Sequence, residues 1–275
     1  FGEPAGLYTD EVGPLTSVVG IGLFQRTVLT LQRAGIRQLM VLVGPEEDQL
    51  KQALSKGSRV TIPVRWLPIR EFPLDDPRTW DTLAAEIQGF CLLSGVQGVF
   101  ASPLIESLRH EVQEGQAIVV ARADNERSRP LRRSSLRLKV QAGRLLSMTS
   151  KQDSAALVAT DLVVLPAGLM SAAGQVEVET GIVPIRRWLE RAAVDGHVRV
   201  LSTETDRSHW YQDVRDAADV KVAERKLFNS LKSELEGFVD RFFNRKVSRW
   251  FTRLFLAAGF SPNVITVLAT LVGLV

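Results

Sequence analysis

Leu31-Gln-Arg-Ala-Gly35-Ile-Arg-Gln-Leu-Met-Val-Leu-Val-Gly44-Pro45 is the stretch that decides how the first half of the chain is read. Phe24, Val28 and Leu31 stand at helical spacing, and Gly35 follows as a stop. Residues 38–43 are then a short apolar run of the kind covered on both faces of a sheet, and Gly44-Pro45 breaks it. The unit is thus a helix, a turn and a buried strand.

The same alternation continues outward. Residues 46–54 read as a polar-faced helix, 59–66 as a strand, and 77–87 as a helix with an acidic, tryptophan-bearing start. Residues 90–93 and 117–121 are two more buried strands, separated by a helix over 103–112. The pattern then changes. Leu136, Leu138 and Val140 alternate with Arg137, Lys139 and Gln141, Ala142-Gly143 turns, and Leu145 to Met148 returns, which predicts a β-hairpin with one wet face. A long apolar strand over 156–165, a helix over 183–194, a short strand over 198–201 and a charged helix over 217–239 complete the body. Buried strands joined by helices predict a three-layer α/β/α domain with a mostly parallel sheet, in which 38–43, 90–94 and 117–121 are neighbours.

Composition narrows the chemistry. The chain has 275 residues, 45% of them hydrophobic and 24% charged, a globular composition. One cysteine, Cys91, excludes an internal disulfide framework and a cysteine-based metal site. His110, His197 and His209 are too scattered to hold zinc, and Ser94 has no histidine or acid partner in sequence for serine hydrolysis. Gly20-Ile-Gly22 reads as ordinary punctuation before a helix, and the arginine-dense run from Arg122 to Arg137 as a solvated loop. The chain carries 34 basic and 31 acidic residues. Residues 239–275 hold five of the basic ones (Arg241, Arg245, Lys246, Arg249, Arg253) against Asp240 alone, which leaves 29 basic and 30 acidic elsewhere. The basic excess belongs to the tail, so no nucleic-acid partner is expected.

In that tail Phe243, Val247, Trp250 and Leu254 form one helical stripe ringed by the cations, which suits a membrane interface. Gly259-Phe-Ser-Pro-Asn263 turns, and 264–275 has only Thr266 and Thr270 as polar residues. A span needs about 20 apolar residues. The run is therefore expected to be the start of a first transmembrane helix, in a fragment cut at both ends, with the preceding cations on the cytoplasmic side. The expected organisation is an α/β domain over 1–238, a basic amphipathic juxtamembrane helix over 239–260, and the beginning of a truncated all-α membrane domain over 261–275.

Two resemblances follow from particular motifs. Asn244-Arg-Lys-Val-Ser-Arg249, Thr252-Arg-Leu254, Ser261-Pro-Asn-Val-Ile-Thr266 and Leu271-Val-Gly-Leu274 resemble the beginning of the CDP-alcohol phosphotransferase family. These are membrane enzymes that transfer from a CDP-alcohol to an acceptor alcohol and release CMP. The likeness implies Asn263 and Thr266 as substrate-binding residues, with Mg²⁺ held mainly by aspartates beyond Val275, and leaves room for a homodimer through the membrane domain. Pro14 to Arg26, Leu31 to Gly44, Phe90 to Phe100, Gly143-Arg-Leu145 and His209-Trp-Tyr-Gln-Asp-Val214 resemble the nucleotidyltransferase domain of sugar-phosphate and inositol-phosphate cytidylyltransferases. That likeness implies a metal-ligand position at Asp213, which also reads as a helix N-cap or a solvated loop acid.

The body departs from the second family. The run Ser94-Gly-Val-Gln-Gly-Val99 has no carboxylate where the resemblance implies one, and no glycine-rich loop with its lysine is recognisable before Pro14. The expected function is a membrane-associated CDP-alcohol phosphotransferase with an inactive cytidylyltransferase-like amino-terminal domain and no catalytic residue within the fragment. The alternative is a bifunctional enzyme with an active CTP-dependent polyol- or inositol-1-phosphate cytidylyltransferase domain. A second alternative is a non-catalytic membrane-docking regulatory domain.

The charge asymmetry makes one expectation directly measurable. The chain should sediment with anionic vesicles, less so at high salt, and removal of 239–275 should leave a soluble, folded body. Equal binding by the two forms would exclude anionic lipid as the tail's partner.

Overall fold

The computed structural model of the chain describes residues 12–55, 59–112, 115–123, 136–149, 157–175, 184–206 and 208–238. A minimal hairpin, β1 (Ser17–Val18) and β2 (Ile21–Gly22), precedes α1 (Leu23–Arg33). Then come β3 (Leu39–Val43), α2 (Glu47–Ser55), β4 (Val64–Pro68), α3 (Pro77–Glu86), β5 (Phe90–Leu93), β6 (Gly98–Phe100) and α4 (Ser102–Glu111). The second half holds β7 (Ala117–Ala123), the hairpin β8 (Arg137–Gln141) and β9 (Arg144–Thr149), β10 (Leu157–Pro166), α5 (Ala167–Gly174), α6 (Pro184–Val194), β11 (Val198–Ser202), β12 (Tyr211–Asp213) and α7 (Ala217–Phe238). The chain divides into two compact units, Phe1–Glu224 and Arg225–Val275. Of the second, only the end of α7 is described.

Local chemistry accounts for the helix starts. Asp76 caps α3 by accepting the Arg78 N–H at 2.9 Å, with Pro77 in the first turn where a missing N–H costs nothing. Asp216 does the same for α7, accepting from the N–H groups of Ala218 and Asp219 at 2.8 and 2.9 Å. At the β8–β9 turn both Ala142 and Gly143 have positive φ (49° and 76°), the turn whose twist matches a two-residue hairpin.

A six-stranded sheet in the order β5-β10-β7-β11-β9-β8 organises the body. Two of its inner strands, β7 and β10, alternate cleanly. Ile118 and Val120 of β7 and Leu162 and Val164 of β10 pack to one side, with Leu104, Ile105 and Leu108 of α4 and Leu31 of α1. Ala117, Val119, Ala121, Val163 and Leu165 pack to the other, against Trp80 and Leu83 of α3, Met170 of α5 and Leu189 of α6. Two helical layers on one sheet make the α/β/α sandwich expected from the sequence. Each fully buried Leu, Ile or Val side chain contributes about 1.5–3 kcal/mol.

The expected mostly parallel sheet is corrected. Within the six strands β7 and β11 run parallel, while β10 runs antiparallel to β5, β7 and β8. The cause is the connection. A parallel neighbour needs a crossover, usually a helix, and the described chain between β7 and β10 contains a hairpin instead. So β10 comes back beside β7 in the opposite sense. The strands at 90–93 and 117–121 do share a sheet and a direction, but β10 lies between them. The strand at 38–43 pairs in parallel with β4, outside the six-stranded sheet. An apolar run signals coverage on both faces, and carries no information on strand direction or neighbour.

Among the described residues no helix is long and apolar enough to cross a membrane. The expected juxtamembrane helix and first membrane helix lie outside the described residues.

Leu165 of β10 is fully buried and sits opposite Cys91 of β5. Leu165→Ala should lower unfolding free energy by about 2–5 kcal/mol, the range for truncating a buried leucine, read as a lower urea midpoint. A loss below about 1 kcal/mol, well under the range for a buried leucine, would mean that β10 is not buried between β5 and β7.

Candidate active site

Two segments singled out from sequence, 94–99 and 209–214, come together as paired strands. β12 lies antiparallel to β6, with Asp213 opposite Gly98 and Tyr211 opposite Phe100. The Val214 N–H extends the ladder by donating to the Gln97 carbonyl at 2.7 Å. The Tyr211 and Phe100 rings stack with centroids 6.3 Å apart and planes 2° from parallel. Gly98 is required here, because a Cβ at that position would collide with the Tyr211 hydroxyl.

A cleft of about 1230 Å³ runs beside β3 and β5 and reaches this pair. Its walls near β12 include Ser94, Gly95, Gln97, Asp161, Asp213 and Arg215. Asp161 gets there through an irregularity in β10. Against β7 the register shifts between Ala159 and Val163, so the residues between them step out of the ladder. Buried Thr160 fills the break, donating to the Val120 carbonyl at 3.0 Å and accepting the Leu162 N–H at 3.2 Å. Asp161 is turned toward Gly95, where an added Cβ would lie 2.6 Å from its Oδ2.

Asp213 is neither an N-cap nor a solvated loop acid, and the cap of α7 is Asp216. Its Oδ2 accepts from Arg122 Nη2 at 2.8 Å and Nε at 3.1 Å, and Arg215 Nη2 lies 3.6 Å away. The Arg122 and Arg215 side chains are only 11% and 16% exposed, well below a surface ion pair. Arg215 is gripped a second time. Its backbone N–H donates to Asp219 Oδ2 at 3.0 Å, its Nε lies 3.9 Å from the same oxygen, and Asp219 is buried. Burial, and then the charges of Asp161 and Asp213, push the Tyr211 phenol well above the usual tyrosine range.

These donors do not suit Mg²⁺, which the family resemblance implies. The hard cation wants near-octahedral oxygen ligands at about 2.0–2.1 Å. Here the one carboxylate at an implied ligand position is engaged by guanidinium groups, and the Gln97 amide donates to the Val12 carbonyl at 3.1 Å. Among the described residues no group of three or more His, Cys, Asp or Glu is arranged to hold a metal.

Sequence reasoning found Asp213 and the 94–99 segment and missed the residues around them. Arg122 reads from sequence as part of a solvated loop, but it lies within β7, next to its last residue, and holds Asp213. A carboxylate inside the apolar run 157–166 was the available sign of Asp161, and the i, i+4 spacing of Arg215 and Asp219 was the sign of the second grip. Asn263 and Thr266, and the arginines between 124 and 135, lie outside the described residues.

No protein-family model matches the chain, and no curated protein matches it in sequence. Solved structures share its fold. A Bacillus anthracis protein assigned as a glucose-1-phosphate thymidylyltransferase, solved with sucrose, superposes with a TM-score of 0.59 at 12% identity, over 77% of this chain and 85% of that one. The inositol-1-phosphate CTP transferase from T. maritima gives 0.58 at 15% identity, over 82% and 89%. The chain therefore shares its mixed α/β fold with these two transferases.

The environment of Tyr211 sets a pH dependence. Its pKa is raised in the folded state, so the unfolded chain loses this proton first as pH rises past about 10. The stability tied to the protonated phenol is therefore intact below that pH and is lost above it, by about 1.4 kcal/mol per pH unit while only the unfolded form ionises. Tyr211→Phe keeps the ring stack and should flatten the alkaline limb of stability against pH, measured by urea unfolding from pH 8 to 11. Parallel limbs for the two proteins would refute the assignment.

Proposed function

We propose that the first unit is a nucleotide-binding domain of the cytidylyltransferase type, whose cleft takes CTP together with a phosphorylated polyol such as an inositol phosphate. The observation that carries this reading is the β6–β12 pair. It sets Asp213 against the 94–99 segment at one end of the cleft, joining two stretches 110 residues apart that each resemble the same family. The shared fold with an inositol-1-phosphate CTP transferase supports the CTP-dependent alternative over the CDP-alcohol phosphotransferase reading. The latter rests on residues 244–274, and neither of the two solved structures is such an enzyme. Membrane attachment through 239–275, with the domain on the cytoplasmic side, is kept as part of the proposal on the sequence pattern alone.

In nucleotidyl transfer a phosphate oxygen of the acceptor attacks the α-phosphorus of the triphosphate, and pyrophosphate leaves. Both reactants are anionic, so the site must supply positive charge. This chain's own groups do part of that work. Arg215 lines the cleft as a fixed cation, Asp213 and Asp219 orient it, and Arg122 holds Asp213. Gly95 lines the cleft and, lacking a side chain, leaves room there for the Asp161 carboxylate.

CTP titrated into the full chain should bind, and hydrogen exchange should slow in residues 94–100 and 211–216. Binding weaker than about 1 mM, roughly −4 kcal/mol of association free energy, or protection confined to other segments, would sink the reading.

A further inference from the structure

We propose that Arg215, with Arg122 bracing Asp213 behind it, stands in for the divalent cation of this site, so that the domain holds a nucleotide's phosphates on a fixed guanidinium group and binds no Mg²⁺ at Asp213. The inference rests on the nucleotide-binding reading above.

The first support is occupancy. The Asp213 carboxylate offers a metal its Oδ2 only by giving up Arg122, which reaches it with two nitrogens at 2.8 and 3.1 Å, and Arg215 at 3.6 Å. The second is anchoring. Arg215 is not a wandering surface cation: its backbone N–H and its guanidinium both face the buried carboxylate of Asp219, at 3.0 and 3.9 Å. A side chain flanked by two carboxylates, at 3.6 and 3.9 Å, and still lining the cleft is positioned for an anion.

The third support is charge parity. Two guanidinium groups on Asp213 and Asp219 give a neutral cluster, the same balance as one Mg²⁺ on two carboxylates. A divalent ion arriving beside Asp213 would meet two fixed positive charges. Asp161, on the same cleft, is a single further carboxylate turned toward Gly95, and Gln97 contributes no charge. Guanidinium also matches phosphate geometry, since its planar fork can donate two parallel N–H bonds to phosphate oxygens. Arg122 braces Asp213 and acts as a positioning residue. Arg215 is the group that would touch phosphate.

The test uses the full chain. CTP affinity is measured by calorimetry in excess Mg²⁺ and in excess EDTA, and Mn²⁺ binding to the ligand-free chain is followed by electron paramagnetic resonance. The expected results are affinities equal within about threefold, an unperturbed free-Mn²⁺ signal, and at least a tenfold loss of CTP affinity in EDTA for Arg215→Met with partial recovery in Arg215→Lys. Thermal unfolding of each variant reports folding. If Arg215→Met does not fold, Arg215→Lys alone decides, with a threefold or larger loss expected because the fork is gone. A tenfold gain in affinity from Mg²⁺ overturns the inference, and so does Mn²⁺ bound by the ligand-free chain and lost in Asp213→Asn. The two failures separate. CTP bound in neither buffer brings down the nucleotide reading and the inference with it, whereas CTP bound only with Mg²⁺ brings down the inference alone.

Discussion

Strand β10 has to satisfy two opposed demands, and the rest of the body follows from how it does so. Lying between β5 and β7, it must be apolar on both faces, and Leu162, Val163, Val164 and Leu165 are. It must also run from the wet hairpin β8–β9 into the buried centre, which it does through the register shift after Ala159. An irregular ladder leaves backbone groups without their usual partners, and a buried amide or carbonyl left unmet costs about 1–3 kcal/mol. The Thr160 hydroxyl offsets that by serving the Val120 carbonyl and the Leu162 N–H together. The two extra residues then have to point somewhere. Asp161 faces the cleft, so one break in one strand connects the packing of the core to the polarity of the site.

Much of the fold was legible because burial imposes a period. The apolar runs at 90–93, 117–121 and 156–165, the alternation from Leu136 to Val140, and the amphipathic helices each predicted an element that forms within a few residues of its expected bounds. What the period could not carry was topology. β5, β7 and β10 are all apolar on both faces, and nothing in Phe90-Cys-Leu-Leu93 says that its neighbour is Val163 to Pro166 running the other way. The short strands β6 and β12 were hidden for a different reason. At three residues each they are too short to set a period, and they pair only because distant packing brings them together. The site was legible in proportion. Asp213 showed through a local motif, while Arg122 showed only in three dimensions, 91 residues away.

The electrostatics of Asp213 explain why its neighbours could not be neutral. A carboxylate 23% exposed has lost much of its hydration, and a nearby opposite charge is the usual remedy. Two unit charges about 4 Å apart attract by roughly 4 kcal/mol at the effective dielectric of a partly buried site. The desolvation of each ion is of similar order, several kcal/mol, so one arginine would do little better than break even. Two arginines on one oxygen would repel each other unless a further carboxylate offset one of them, and Asp219 does so for Arg215 from the first turn of α7. Asp216 keeps that turn in place by capping it. The cluster is a chain of obligations in which each charge requires the next.

Stability does not by itself call for such a cluster. Replacing a buried ion pair by well-packed apolar groups is often neutral or stabilising, and β12 has other means of staying where it is. Three backbone-paired positions hold it to β6, Tyr211 stacks on Phe100, and Val214 is fully buried behind it. Apolar residues at 122, 213 and 215 would have served the core at least as well. What they could not have done is line a cleft with a cation that is fixed in orientation and already stripped of part of its water. A guanidinium held at two points gives up little further freedom when an anion arrives, and that saving is available only to a group the fold has ordered beforehand. The physical sense of the arrangement therefore lies on the cleft side of the strand, in what it offers to a negatively charged ligand, rather than in what it adds to the core.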